Sequence, residues 1–295
     1  MAFAAKNNKW PGYALYVVLV ALALLYYLFP APMVEDLIDS SVSKINPEFG
    51  FKAEKIRPWI PPSLRISGGR VYLGNTTGPA VFEAGSMNIR PKFLKLLGGK
   101  YDLKLSGTAY KGDINGSLHL ADPNGETIES ELFFEDLDLG IYEFLADKLQ
   151  HRLTGMFSGN VVYARNSAAA PGTGKATLRL ADGQLQLQNP IFSIGSVDLQ
   201  SINLEMELRN RNVTIVKGEL TGVDLNASLA GSILLQSDLK NSQLNLKGTI
   251  EPQAEFYRKY PEIRELLKSM KKRVKRGQYF FAITGTLGQP RVNLL

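Results

Sequence analysis

Residues 201–216 read Ser-Ile-Asn-Leu-Glu-Met-Glu-Leu-Arg-Asn-Arg-Asn-Val-Thr-Ile-Val, and the alternation within them decides the fold. Ile202, Leu204, Met206 and Leu208 take every second place, with polar residues between them. Successive side chains of a strand point to opposite faces, so this pattern describes a strand with one buried and one wet side. The same period recurs at Val213 and Ile215, and outward in both directions at Val71 and Leu73, Leu103 and Leu105, Ile114, Leu118 and Leu120, and Leu244 and Leu246. Turn sequences separate these runs, as in Gly98-Gly99, Asp122-Pro123-Asn124-Gly125 and Asp182-Gly183. Short strands joined by tight turns predict a mainly β chain whose curved, chiefly antiparallel sheet is built from meanders.

The chain also resembles itself at an offset of roughly 110 residues, a spacing that points to duplication. Gly69-Arg70-Val71-Tyr72-Leu73 recurs as Gly183-Gln184-Leu185-Gln186-Leu187, and Phe82-x-x-Gly85-Ser86-x-x-Ile89 as Phe192-x-x-Gly195-Ser196-x-x-Leu199. Asp113-Ile114-Asn115-Gly116-Ser117-Leu118 recurs, in the same order, as Asp224-Leu225-Asn226-Ala227-Ser228-Leu229. Two β repeats are therefore expected, at 49–165 and 175–295, with a small, turn-rich linker at 166–174 between them. Each is expected to close with a covering helix, Asp136 to Gln150 carrying Phe144 and Glu255 to Met270 carrying Phe256.

Ahead of the sheet, residues 12–29 form an uncharged apolar run, close to the roughly 20 residues that a bilayer core requires. Trp10 and Tyr13 flank one end and Tyr26, Tyr27 and Phe29 the other, where amphipathic rings favour the headgroup region. Lys6 and Lys9 lie in the short segment 1–11 before the run, which the positive-inside bias holds in the cytoplasm. The expectation is a single-pass anchor with the N-terminus inside and the long remainder outside. Segment 30–48 follows as a connector, with Val34, Leu37, Ile38, Val42 and Ile45 at helical spacing and Glu35, Asp36, Asp39 and Lys44 opposite them. That amphipathic helix, ended by Asn46-Pro47, either lies on the membrane or caps an exposed sheet edge.

Composition bounds the chemistry. With 295 residues, 44% hydrophobic and 21% charged, the chain can bury a core. It has no cysteine, which excludes disulfides and thiolate sites. His119 and His151 are its two histidines, too few to build a zinc site, and no nucleophile and orienter accompany them. Pro171-Gly172-Thr173-Gly174-Lys175-Ala176 falls short of a phosphate loop, because Ala169 replaces the leading glycine and Ala176 the hydroxyl residue. Glu135, Asp136 and Asp138 suit the positive end of the first covering helix better than acid/base work. No catalytic, cofactor or metal residue is expected, and the chain reads as a non-enzyme.

The net charge is +6, concentrated toward the C-terminal side. Arg258, Lys259, Arg264, Lys268, Lys271, Lys272, Arg273, Lys275 and Arg276 crowd one amphipathic helix and its exit. Lys268, Lys271, Lys272, Arg273, Lys275 and Arg276 are the candidate contacts for anionic headgroups or an acidic partner, against the alternative of a solvated outer face. A nucleic-acid partner is not expected for a segment outside the cytoplasm.

Taken together, the basic N-terminus, the anchor ending in Phe29-Pro30, the amphipathic helix and the closing Ile283-Thr284-Gly285-Thr286-Leu287-Gly288-Gln289-Pro290 resemble a known family. It is the type II secretion system protein N family of deltaproteobacterial and spirochaete type, itself similar to AsmA-like envelope proteins. The resemblance implies a Gram-negative inner-membrane protein with a periplasmic β domain. Such a protein would scaffold the export of folded proteins through contacts with other secretion-system subunits. The AsmA-like side of the resemblance implies an alternative, a lipid-binding or lipid-transfer protein with phospholipid in a β groove.

Overall fold

The computed structural model describes all residues except 1–9, 46–47, 60–62, 75–77, 79, 93–94, 96–100, 122–125, 145–150, 168–169, 192–193, 237, 262–273 and 276. The alternating segments become strands of one continuous 16-stranded sheet. In chain order these are β1 (Phe49–Lys52), β2 (Lys55–Trp59), β3 (Ser63–Leu73), β4 (Phe82–Pro91), β5 (Tyr101–Ala109), β6 (Gly112–Leu120), β7 (Ile128–Asp138) and β8 (His151–Arg165). They continue with β9 (Thr173–Ile191), β10 (Ile194–Arg209), β11 (Asn212–Gly222), β12 (Leu225–Leu234), β13 (Gln243–Pro252), β14 (Val274–Lys275), β15 (Gln278–Thr286) and β16 (Gln289–Leu294). From β3 to β13 each strand pairs antiparallel with the next in sequence, the pattern of a long meander. Among the described residues the first and last strands do not pair, so the sheet is open.

Two of its hairpins turn on two residues with positive φ, Tyr110-Lys111 between β5 and β6 and Asn210-Arg211 between β10 and β11. Such turns match the right-handed twist of the flanking strands but favour Asn and Gly. Tyr110 is held there by its ring, which packs edge-on to Phe82 and Tyr142, while its hydroxyl accepts the Glu83 N–H at 2.8 Å. Lys111 reaches Asp138 at 3.0 Å.

Two helices precede the sheet, α1 (Trp10–Tyr27) and α2 (Ala31–Ile45). Pro30 supplies the carbonyl for the first turn of α2, and Pro32 sits within that turn, where its missing N–H is harmless. The expected span over 12–29 is met by a helix of equal length set two residues earlier. Among the described residues no helix is long and apolar enough to cross a membrane. The 18 residues of α1 rise about 27 Å, a few ångströms less than a hydrocarbon core of roughly 30 Å.

Helix α2 lies along the β1 edge and adjoins β2. Glu35, Asp39 and Ser43 fall on one stripe at fourfold spacing and face the sheet rather than solvent, which corrects the expected division of the helix into apolar and acidic faces. Ala53 N–H donates to Glu35 at 3.1 Å, Phe51 N–H donates to Asp39 at 2.6 Å, and the Ser43 hydroxyl donates to the Phe49 carbonyl at 2.9 Å. Half-buried Val34, Ile38 and Val42 run beside that stripe, while Leu37 is exposed. An edge strand leaves alternate backbone groups unpaired, and here a helix supplies their partners.

The covering helices differ from expectation. Asp136, Leu137 and Asp138 end strand β7, and a 3-10 turn at Leu139–Ile141 follows, capped where Asp138 accepts the Gly140 N–H at 2.9 Å, before helical backbone begins at Glu143 and Phe144. The apolar alternation that begins at Leu132 and Phe134 simply carries the strand onward. Residues 145–150 of the expected helix lie outside the described residues. Of the second expected helix, α3 (Ala254–Lys259) is helical and breaks at Tyr260, because the residue before Pro261 is pushed out of helical backbone; helical backbone resumes at Pro261, and 262–270 lie outside the described residues. His151, just after the expected end of the first covering helix, opens β8 opposite Leu187. The expected linker 166–174 connects a hairpin inside the sheet, and Thr173 and Gly174 already belong to β9.

Candidate apolar binding face

Strand register converts one-dimensional alternation into a two-dimensional surface. Starting at β2 and crossing by paired residues, one row runs Ile56, Ile66, Met87, Gly107, Ile114, Phe134 and Gly159. It continues through Leu178, Leu204, Gly218, Leu229, Gly248 and Phe281 to Leu294 on β16. Every member is apolar or glycine. The next row, two residues along each strand, runs Leu64, Ile89, Leu105, Gly116, Leu132 and Val161, then Ala176, Met206, Ile215, Gly231, Leu246 and Ile283. It is equally free of polar side chains. A third row, Leu103, Leu118, Ser130, Tyr163, Gly174, Leu208 and Val213, introduces a serine and a tyrosine near one rim.

The glycines make room for large neighbours. A Cβ on Gly159 would stand 2.9 Å from the Phe134 ring. One on Gly248 would stand 2.5 Å from the Phe281 ring. Each ring therefore lies flat over a neighbouring backbone and tiles the face without a gap.

The opposite face is mostly polar. One row reads Arg65, Asn88, Ser106, Asn115, Phe133, Asn160, Thr177 and Glu205, polar but for the exposed Phe133. Lys175 and Arg209 flank Glu207 at 3.3 and 2.9 Å, and the Lys175 ammonium foremost holds its carboxyl below the usual carboxylate range.

Where the sheet curls, side chains of the apolar face bury one another. Ile66 is 3% exposed and Ile114 4%, and two separate clusters form, around Ala84, Ala109, Ile114 and Leu137 and around Ile215, Leu244 and Leu246. No described helix spans that face, since α2 lies on an edge and α3 is short. The total accessible surface is 19559 Å², whereas a compact chain of 32.6 kDa exposes ~12,400 Å². The exposed α1 and the open sheet both contribute to the excess.

At the rim of this face the ends of β8, β10 and β12 enclose an open cavity of about 600 Å³. Tyr163 and Leu208 of the third row line it, together with Leu235, Arg165, Asn210 and Arg211. Arg165 donates from Nε to the Glu126 carbonyl at 3.3 Å.

The aromatic anchor candidates lie on α1 and at its junction with α2. Trp10 and Tyr13 sit at one end of α1 and Tyr26 and Tyr27 at the other, all exposed, with Tyr27 at 90%. Phe29 is half-buried at the junction with α2. Lys268, Lys271, Lys272, Arg273 and Arg276 lie outside the described residues, and Lys275 belongs by its backbone to β14. His119 is bound to Asp102, its partner across the β5–β6 ladder, where Lys92 and Lys95 also meet the Asp102 carboxylate at 3.3 and 2.6 Å. This cluster escaped the sequence reading because the lysines follow β4 while the aspartate waits in β5.

Fold and face together define a class: an open antiparallel sheet with one apolar and one polar side and no second layer among the described residues. No family model, curated protein or solved structure matches the chain.

Proposed function

We propose that the protein binds acyl-chain amphiphiles along the apolar face of its sheet and acts as a lipid-binding or lipid-transfer component of a cell envelope. The observation that carries this reading is the pair of unbroken apolar rows crossing the sheet with no described second layer above them. Apolar patches of this extent on a soluble surface mark a place that something else covers. A narrow row suits a linear hydrocarbon, and no carboxylate or amine interrupts the two central rows.

In this reading α1 holds the sheet at a membrane. Its exposed Trp10, Tyr13, Tyr26 and Tyr27 suit the two headgroup regions, and a helix a few ångströms short is accommodated by local thinning of the bilayer. The inner membrane, with the sheet in the periplasm, is the location that the family resemblance suggests. The sheet would have grown by duplication. Gly69–Leu73 in β3 and Gly183–Leu187 in β9, Ser86–Ile89 in β4 and Ser196–Leu199 in β10, and Ile114–Leu118 in β6 and Leu225–Leu229 in β12 each lie six strands apart.

A second reading, an accessory scaffold of a type II secretion machine, draws on the other end of the sheet. Whereas α2 covers β1, all six residues of β16 are exposed, and such an edge can accept a strand from another subunit.

Site-specific photo-crosslinking separates the two. A benzophenone amino acid at Val161 or Met206, on the apolar face, is expected to capture lipid in the intact membrane. The same group at Thr177 or Glu205, on the polar face, is expected to capture none. Equal capture on both faces, or protein adducts alone at Val161 and Met206, would overturn the lipid reading.

A further inference from the structure

We infer that the rim cavity at the β10–β11 turn is a headgroup subsite, and that the lipid it selects carries an anionic phosphate headgroup. This rests on the acyl-binding reading of the face above and adds the substrate class. The cavity joins the third row through Tyr163 and Leu208, so a chain lying on the apolar face can end there. Its polar lining is cationic or neutral, Arg165, Arg211 and Asn210, with no carboxylate among the described lining residues. Guanidinium groups suit phosphate oxygens by charge and by their planar fork of donors.

A second observation concerns the backbone of Arg211. It occupies the second central position of its hairpin turn with φ at +63°, where glycine is the favoured residue. Lys111 sits in the same position of the β5–β6 turn, at φ +64°, and there an ion pair with Asp138 accounts for a cation. Among the described residues no ion pair or side-chain hydrogen bond involves Arg211. Its long side chain therefore sits at a strained position with no structural partner, at the mouth of a cavity that ends an apolar row. Local rules broken without compensation gather at functional sites.

The test uses the full chain in a neutral maltoside detergent, offered equal amounts of phosphatidylglycerol and phosphatidylcholine with identical acyl chains, and reads bound lipid by native mass spectrometry. The wild type is expected to retain phosphatidylglycerol severalfold over phosphatidylcholine. Arg211→Gly should bring that ratio to near one through loss of bound phosphatidylglycerol, with retained phosphatidylcholine as the reference. Its unfolding temperature should stay the same or rise, since glycine relieves the turn, and a purely structural arginine would not give that pairing. Arg211→Lys should keep part of the preference. An undiminished preference in Arg211→Gly, or none in the wild type with both lipids still bound, overturns the subsite and leaves the acyl-binding reading standing. Retention of neither lipid overturns that reading as well. If inorganic phosphate alone binds with the affinity of phosphatidylglycerol, the site is one for free anions and the lipid assignment fails.

Discussion

The Asp39 carboxylate accepts the Phe51 backbone N–H at 2.6 Å, so a side chain of α2 takes the place that a neighbouring strand would hold. Glu35 repeats the contact one turn earlier with Ala53. Replacing a partner leaves a backbone donor at a half-covered edge, which costs about 1–2 kcal/mol. Asp39→Ala should lower stability by that amount and speed hydrogen exchange at the Phe51 amide, whereas Asp39→Asn, which keeps an acceptor oxygen, should lose less. Unchanged exchange at Phe51 in Asp39→Ala would show that the edge does not depend on the helix.

The tiling of the apolar face makes a steric prediction. Gly159→Ala would place a Cβ 2.6 Å from the Thr177 carbonyl and 2.9 Å from the Phe134 ring, and neither has space to withdraw without opening the face. Overpacking of this kind costs about 1–3 kcal/mol. Gly85→Ala is the control, since its nearest neighbour would be Thr108 Oγ1 at an ordinary 3.6 Å. Chemical denaturation of the pair should show a clear loss for the first and little for the second.

How far the sequence foretells this molecule can be judged from the same residues. Ile202, Leu204, Met206 and Leu208 announce a strand and its inward side, because alternation is a local property. Gly159 and Phe134 announce nothing of their partnership, since register across separate strands decides it. The misplaced start of the helix expected from Asp136 has a similar cause: Leu132, Phe134 and Leu137 suit a strand, and a β-bulge at Asp136, φ +53°, restores their common face. Glu35 and Asp39 mislead in another way, since carboxylates on a helix usually face water, and here a strand edge lends them its N–H groups. Arg165 and Arg211 are far apart in the chain, and the rim they share exists only once β8 and β10 have been paired through β9.

A buried ion pair fixes α3 to the sheet. Asp224 is 2% exposed, and Lys259 Nζ lies 2.9 Å from both of its carboxylate oxygens, one of them in hydrogen-bond geometry. The hydrogen bond to Asp224 raises the Lys259 pKa against the opposing effect of desolvation. Lys259→Met would leave the carboxylate covered and uncompensated, a loss of about 1–3 kcal/mol. Adding Asp224→Asn should recover part of that loss, because the stranded charge is gone, and a double-mutant cycle reads the coupling. Strict additivity of the two changes would mean that the pair does not interact.

Asp102 carries the prediction about pH. The Lys95 ammonium foremost, then His119, hold its carboxyl far below the usual carboxylate range. A carboxylate depressed in the folded state binds its proton later than the unfolded chain does. The stability it contributes is therefore full above about pH 4 and is lost as pH falls from there toward the folded value. Other carboxylates titrate in the same range, so the informative quantity is the difference between the wild type and Asp102→Asn. That difference should be constant from pH 7 to about pH 5 and should shrink as pH falls below 4, read from denaturant midpoints at each pH. Because Lys95 follows β4 while Asp102 and His119 lie on β5 and β6, the same acid range should loosen the segment after β4 before the sheet unfolds. A wild-type advantage that stays flat to pH 2 would mean that the cluster does not stabilise the fold through its charge.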